Sequence, residues 1–250
     1  MPRPAGDASA PRRGAPAGNC PPFGIQAEGR AGGSTRRPGF PTEEDGPAVL
    51  NEQVTRTLAH IEELDRQQKA TGADIPFWRV SAEAGRLLHV LVCASGARRA
   101  IEVGTSSGYS SIHIASALRE TGGHLWTLDM EPFKLALAGK HFRDAGVDAQ
   151  VTQVEGDALT TLPRLMAEGD EPVDFAFLDA VKPHYIRYLE VIRPRLRAGS
   201  VVCADNVGPR NATVVADYLR AVRSGPFVTS IVPTVNAEGE SDALAVSVVG

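Results

Sequence analysis

The 250-residue chain lacks several features that would fix its class at once. It has three cysteines, Cys20, Cys93 and Cys203, far apart and without Cys-x-x-Cys spacing, so the sequence indicates neither a disulfide framework nor a zinc cluster. A reducing cytoplasm is the expected setting. Basic residues are not in excess: 26 Lys and Arg face 30 Asp and Glu, and a net charge of −4 leaves no footprint for nucleic acid. No apolar run reaches the ~20 residues of a membrane span, and none follows Arg12 and Arg13 as the apolar core of a secretory signal would. Without such a signal, Asn211-Ala212-Thr213 reads as a chance match to a glycosylation acceptor. No internal repeat is present. The 42% apolar content suits one substantial core and a small-molecule ligand.

Apolar periodicity is also missing from the start of the chain. Nine of the 18 prolines and nine of the 25 glycines fall in residues 1–47, which are expected to be a disordered tail outside a domain spanning 48–250. From there the pattern changes. Val54, Leu58, Ile61 and Leu64 recur at helical spacing. A second helix is expected over Ser81–Ser95, with Ser81 as N-cap and Glu83 in its first turn. Short apolar runs then alternate with helical patterns: 100–103, 125–128, 151–154, 173–178 and 201–204 read as strands, with 227–232 and 244–249 as a closing hairpin at the sheet edge. Strict alternation of this kind predicts a parallel sheet covered by helices on both faces.

The most informative segment is Ile101-Glu102-Val103-Gly104-Thr105-Ser106-Ser107-Gly108-Tyr109-Ser110, a strand that turns through two glycines into a helix. Glycine lets the backbone adopt positive φ and approach a ligand closely, and the helix start offers free N–H groups. Asp129, 21 residues past Gly108, closes the next apolar run, where a carboxylate suits a ribose diol. The Gly-x-x-x-Gly spacing supplies neither the pyrophosphate turn of a nicotinamide oxidoreductase nor the Lys-Ser/Thr of a phosphate loop. S-adenosylmethionine is therefore the leading cofactor.

Each run ends on polar groups: Glu102 before Gly104, then Asp129, Asp157, Asp179, and finally Asp205 with Asn206. In a parallel sheet these carboxyl ends share one edge, so all five are expected around a single crevice. Any one of them alone would serve equally as a helix cap. Asp179, Asp205 and Asn206 offer oxygen ligands only, a set suited to Mg²⁺ or another hard divalent cation. Lys182, three residues after Asp179, would return over the same strand end, where a dication favours the neutral amine and hence a base. Its alternative is a solvated helix lysine.

Four blocks together resemble the metal-dependent class I O-methyltransferases, which include the catechol and caffeoyl-coenzyme A O-methyltransferases. They are Glu102-Val103-Gly104 with Gly108-Tyr109-Ser110, Asp129, Phe177-Leu178-Asp179-Ala180-Val181-Lys182 with Tyr185 and Tyr188, and Ala204-Asp205-Asn206-Val207. The resemblance covers about 80–206 and implies a doubly wound, mostly parallel, seven-stranded α/β sheet of Rossmann-like type with an antiparallel C-terminal strand. It places Glu102, Gly104 and Ser110 around the methionine moiety, Asp129 on the ribose hydroxyls, and Asp157 with Ala158 by the adenine. Asp179, Asp205 and Asn206 become metal ligands, with Asp179 also beside the cofactor, and Lys182 becomes the base. The turn holding Trp78 and Val80 would pack on the cofactor methyl and substrate ring, with Phe77 and Trp78 as an aromatic wall. Two departures stand out: Val181 occupies a place where many relatives carry Asp, and Gly208-Pro209-Arg210 lacks the residues often found after the last metal ligand. The implied activity is methyl transfer to a hydroxyl of an aromatic vicinal diol by a homodimer, without nucleic acid or membrane. A metal-independent methyltransferase or an inactive S-adenosylmethionine-binding protein is the alternative.

Overall fold

A computed structural model describes residues 50–72, 78–236 and 239–250. The expectations for residues 1–47, Cys20 and Phe77 lie outside these. The chain opens with α1 (Glu52–Thr71) and α2 (Ala82–Ser95). Alternation follows: β1 (Arg99–Val103), α3 (Tyr109–Thr121), β2 (His124–Asp129), α4 (Pro132–Asp144), β3 (Val151–Glu155), α5 (Ala158–Ala167), β4 (Val173–Leu178), α6 (Tyr185–Ile192), β5 (Leu196–Ala204) and α7 (Ala216–Val222). The hairpin of β6 (Phe227–Val235) and β7 (Ser241–Val249) completes the domain.

Local chemistry sets the helix limits. Asn51 caps α1 by accepting from the Val54 N–H at 2.8 Å, and α1 stops at Gly72, which takes the left-handed conformation at φ 64°. Ser81 caps α2 as its sequence position predicts, accepting from the Ala84 N–H at 3.2 Å. Among the described residues no helix is long and apolar enough to cross a membrane.

The seven strands lie in the order β3-β2-β1-β4-β5-β7-β6. Pairings are parallel up to β5, and β7 runs antiparallel to both β5 and β6. Strand alternation sends successive side chains to opposite faces. Phe175 and Phe177 of β4 enter the layer shared with α1 to α4, while Ala176 and Leu178 enter the layer of α5 to α7. Phe177 is fully buried, and truncating it to Ala would cost about 3–5 kcal/mol.

Six of the seven strands are longer than their apolar runs, β5 by the most. β5 starts at Leu196, which pairs with Val173, and a register shift against β4 between Val173 and Phe175 separates that start from the apolar run at Val201. β6 runs on through Pro233 to Val235, which an edge strand allows because its outer N–H groups need no partner.

The strand order places β1 and β4 side by side at the centre, with chain connections leaving them in opposite directions. Crevices form at such switch points, beyond the carboxyl ends of the strands. Main-chain bonds build that rim stepwise: the Gly104 N–H donates to Leu128 O (2.9 Å), Asp179 N–H to Val103 O (2.9 Å) and Asp205 N–H to Leu178 O (3.0 Å).

Candidate active site

A cavity of about 650 Å³ opens over this rim. Gly104 is what lets the first two strand ends close up: its φ is 109°, and a Cβ there would collide with the Asp179 carbonyl. The turn then crosses Ser106, a non-glycine residue at φ 47°, to Gly108 at φ 85°, where a Cβ would come within 2.7 Å of the Phe142 ring. Asp129 holds this turn. One of its carboxylate oxygens accepts from the Ser106 N–H at 2.8 Å and the other from the Glu131 N–H at 3.1 Å, which fixes the carboxylate at the cavity wall with lone pairs still available.

Asp157 does two things. Its Oδ1 caps α5 by accepting from the Leu159 N–H at 2.9 Å, and the residue lines the cavity together with Ala158 and Gly156. The helix-cap reading and the site reading are compatible at this position.

Glu102 departs from its expected place. Instead of facing the crevice it is fully buried beneath the first turn of α3, since it alternates with Ile101 and Val103, which point to the other layer. Its carboxylate accepts from Ser110 (2.6 Å), Ser111 and Thr127 (2.6 Å). Burial pushes its pKa up to about 7 despite these donors. Thus four of the five expected strand ends contribute acids to the cavity, and Glu102 acts below it by holding Ser110, which does line it. Val80 likewise sits in the core, 2% exposed, while its neighbours Trp78 and Arg79 line the cavity.

Asp179, Lys182, Asp205 and Asn206 all line the same cavity. Lys182 begins a short 3₁₀ turn, Lys182–His184, that brings its Nζ back to 3.3 Å from Asp179 Oδ1. Burial, and then the neighbouring charge of Asp179, push the Asp205 carboxyl up. Asn206 stands at φ 55°, a conformation asparagine tolerates better than most residues. Its Nδ2 donates to Asp242 Oδ2 at 2.9 Å, leaving Oδ1 as its free acceptor.

Asp242 is a site residue that the sequence pattern did not mark. It sits on β7, accepts from the Gly208 N–H at 3.0 Å and the Ala243 N–H at 2.8 Å, and lines the cavity. Gly208 is required for that approach, because a Cβ there would fall 2.5 Å from Asp242 Oδ1. Strand pairing could have revealed it: β7 antiparallel beside β5 brings its early residues back to the β5 carboxyl end.

The donor set at the rim fits a hard divalent cation. Asp179, Asp205 and Asn206 present oxygens alone, and two carboxylates crowded into a buried corner favour a cation between them. Apolar surface surrounds the mouth: Trp78 is 64% exposed, Met130 58% and Val181 46%, and all three line the cavity.

A doubly wound α/β domain with a glycine turn and a carboxylate at the next strand end is a nucleotide-type binding fold. The O-methyltransferase family profile matches residues 52–221. The catechol O-methyltransferase of Niastella koreensis is 38% identical over 135 residues, 54% of this chain and 61% of that protein. Among solved structures, the O-methyltransferase from Bacillus cereus in complex with SAH aligns with a TM-score of 0.68 and 28% identity, over 78% of this chain and 91% of that one. The O-methyltransferase TomG from Streptomyces achromogenes, in complex with SAM and involved in tomaymycin synthesis, gives 0.67 and 31% over 80% and 90%. The chain belongs to the O-methyltransferase family. Its match spans about three fifths of the curated relative's length.

Proposed function

We propose that the protein transfers a methyl group from S-adenosylmethionine to one hydroxyl of an aromatic vicinal diol, with a divalent cation, Mg²⁺ being the expected ion. One observation carries the reading: Asp129, Asp179, Lys182, Asp205 and Asn206, contributed by separate segments of the chain, line a single cavity. Family membership supports the reaction class, the SAH and SAM of two similar structures support the donor, and a relative named catechol O-methyltransferase supports the acceptor. The domain is 48–250, with 1–47 as a tail. The free thiols Cys93 and Cys203 fit a reducing cytoplasm, and a homodimer is the expected assembly.

In this reading the Asp129 carboxylate accepts both ribose hydroxyls, and Asp157 with Ala158 borders the adenine. Glu102 orients the start of α3 through Ser110, so that helix N–H groups and Gly104 surround the methionine moiety. Asp179, Asp205 and Asn206 would hold the cation, which when bound polarises the acceptor's hydroxyls and stabilises the oxyanion. Lys182 Nζ stands 3.3 Å from Asp179 Oδ1, beside the place the cation would take, and as the neutral amine it would accept the hydroxyl proton. Trp78, Met130 and Val181 shield an aromatic ring from water. Holding donor and acceptor in line is worth up to roughly 7–11 kcal/mol of barrier.

Calorimetry with S-adenosylmethionine and NAD, followed by a panel of vicinal-diol acceptors assayed with labelled methyl donor, tests the proposal. Preference for S-adenosylmethionine and labelling of a catechol support it. Tighter binding of NAD contradicts the donor, and labelling of single hydroxyls as readily as diols contradicts the acceptor.

A further inference from the structure

A second cluster lies on α2 and α3, and none of its residues lines the cavity. α2 presents His89 and Cys93 four residues apart, hence on one face. Glu120, near the end of α3, comes against them. Gly85, one turn before His89, packs against the His113 ring with no Cβ between, so the two helices approach closely. The ligand atoms of His89, Cys93 and Glu120 all lie within 4.8 Å of one another.

His89 is 5% exposed and half satisfied. Its Nδ1 is 3.2 Å from the carbonyl oxygen of His113, which can only accept, so the hydrogen resides on Nδ1 and Nε2 keeps its lone pair. That Nε2 is buried without a hydrogen-bond partner and faces Glu120 Oε1 at 4.0 Å. The Cys93 Sγ stands 3.7 Å from Glu120 Oε2. A backbone carbonyl on one ring nitrogen is the usual way a ligating histidine is oriented and its tautomer fixed.

We propose that His89, Cys93 and Glu120 form a binding site for a thiophilic divalent cation, zinc in particular, that ties α2 to α3. Imidazole, thiolate and carboxylate are all zinc donors, and three protein ligands leave a fourth position for water at the half-exposed Glu120. Bonds of about 2.0–2.3 Å put tetrahedral donors roughly 3.3–3.7 Å apart, so donors that lie within 4.8 Å of one another need to close by about 1 Å at most. The thiol proton passes to solvent on binding. Sequence alone indicates no zinc site, since Cys93 has no thiol neighbour and the ligands come from two helices.

The test is titration of the full-length chain with Co²⁺, a spectroscopic stand-in for zinc, in a Cys20→Ser background. One equivalent should develop the thiolate-to-cobalt charge-transfer absorption and be displaced by Zn²⁺. Cys93→Ser should abolish the band, and Glu120→Gln, a change at a half-exposed position that spares the fold, should weaken binding at least about tenfold. Asp179→Ala should retain the band, because the strand-end donors contain no sulfur; failure of the metal-dependent methyl transfer would therefore leave this result standing. No band in the parent protein, a band that survives Cys93→Ser, or unchanged affinity in Glu120→Gln would overturn the proposal.

Discussion

Strand β4 has an aspartate near each end, and the two live in opposite surroundings. Asp174, at the amino end, is buried, and burial pushes its carboxyl up. The backbone N–H groups of Arg98 (2.9 Å) and Arg99 (3.0 Å) and the Arg197 guanidinium (3.0 and 2.6 Å) outweigh that effect and hold it below its ordinary value. At the carboxyl end Asp179 meets Lys182, and Asp205 next to it is pushed up by burial and by Asp179. One end is saturated with donors and the other is short of positive charge. A structural acid carries its partners with it, whereas a functional acid waits for a ligand.

Substitution should separate the two ends most sharply. Asp179→Ala or Asp205→Ala is expected to lower turnover more than about 10³-fold, the several kcal/mol that a metal ion supplies to charge stabilisation, with S-adenosylmethionine binding largely kept in calorimetry. Asp174→Ala should do the reverse: turnover per folded molecule holds, while unfolding stability falls by about 2–3 kcal/mol because two backbone donors and a guanidinium lose their acceptor. Equal effects from both ends would dissolve the distinction. Lys182→Ala should slow methyl transfer by about 10²-fold, and raising the pH should recover part of the rate as the acceptor ionises unaided. A pH profile unchanged from wild type would remove Lys182 from the proton transfer.

Smaller effects belong to the cofactor side of the rim. Asp129→Ala should weaken S-adenosylmethionine binding by about 1.5–3 kcal/mol, since a ribose diol loses its charged acceptor; unchanged affinity would exclude that contact. Glu102 provides a pH signature. Its folded pKa of about 7 stands above the ordinary 4.5, so its contribution to stability is complete below about pH 4.5 and is lost as pH rises through about 7. Melting curves of Glu102→Gln should therefore fall less steeply over that window than those of wild type, and parallel curves would mean that Glu102 titrates normally.

Much of the fold and of the rim is legible in the sequence. β4 matches its apolar run at both ends, and the start of α3 and the cap of α2 fall at the expected residues, because each is set by local chemistry: an unbroken buried run, a glycine, a serine. The positions of Asp129, Asp179 and Asp205 follow from one rule about parallel strands. What escaped depends on side-chain direction or on distant pairing. Glu102 turns under α3 because strand alternation, and not its place in the motif, sets its face. Asp242 joins Asn206 only through the antiparallel register of β7. Asp65 and Glu62 look like the solvated side of an amphipathic helix. In fact Asp65 is 2% exposed and paired with Arg79 at 3.0 Å, and Glu62 accepts from the Tyr109 hydroxyl, so α1 supports the cavity wall.

The most direct measurement is methyl transfer from labelled S-adenosylmethionine to a catechol acceptor, run with Mg²⁺ and again with excess chelator. The account predicts rapid labelling with the cation, loss of labelling in chelator and recovery when Mg²⁺ is restored. Full labelling in excess chelator would contradict it and make the carboxylates of the rim part of a metal-independent site.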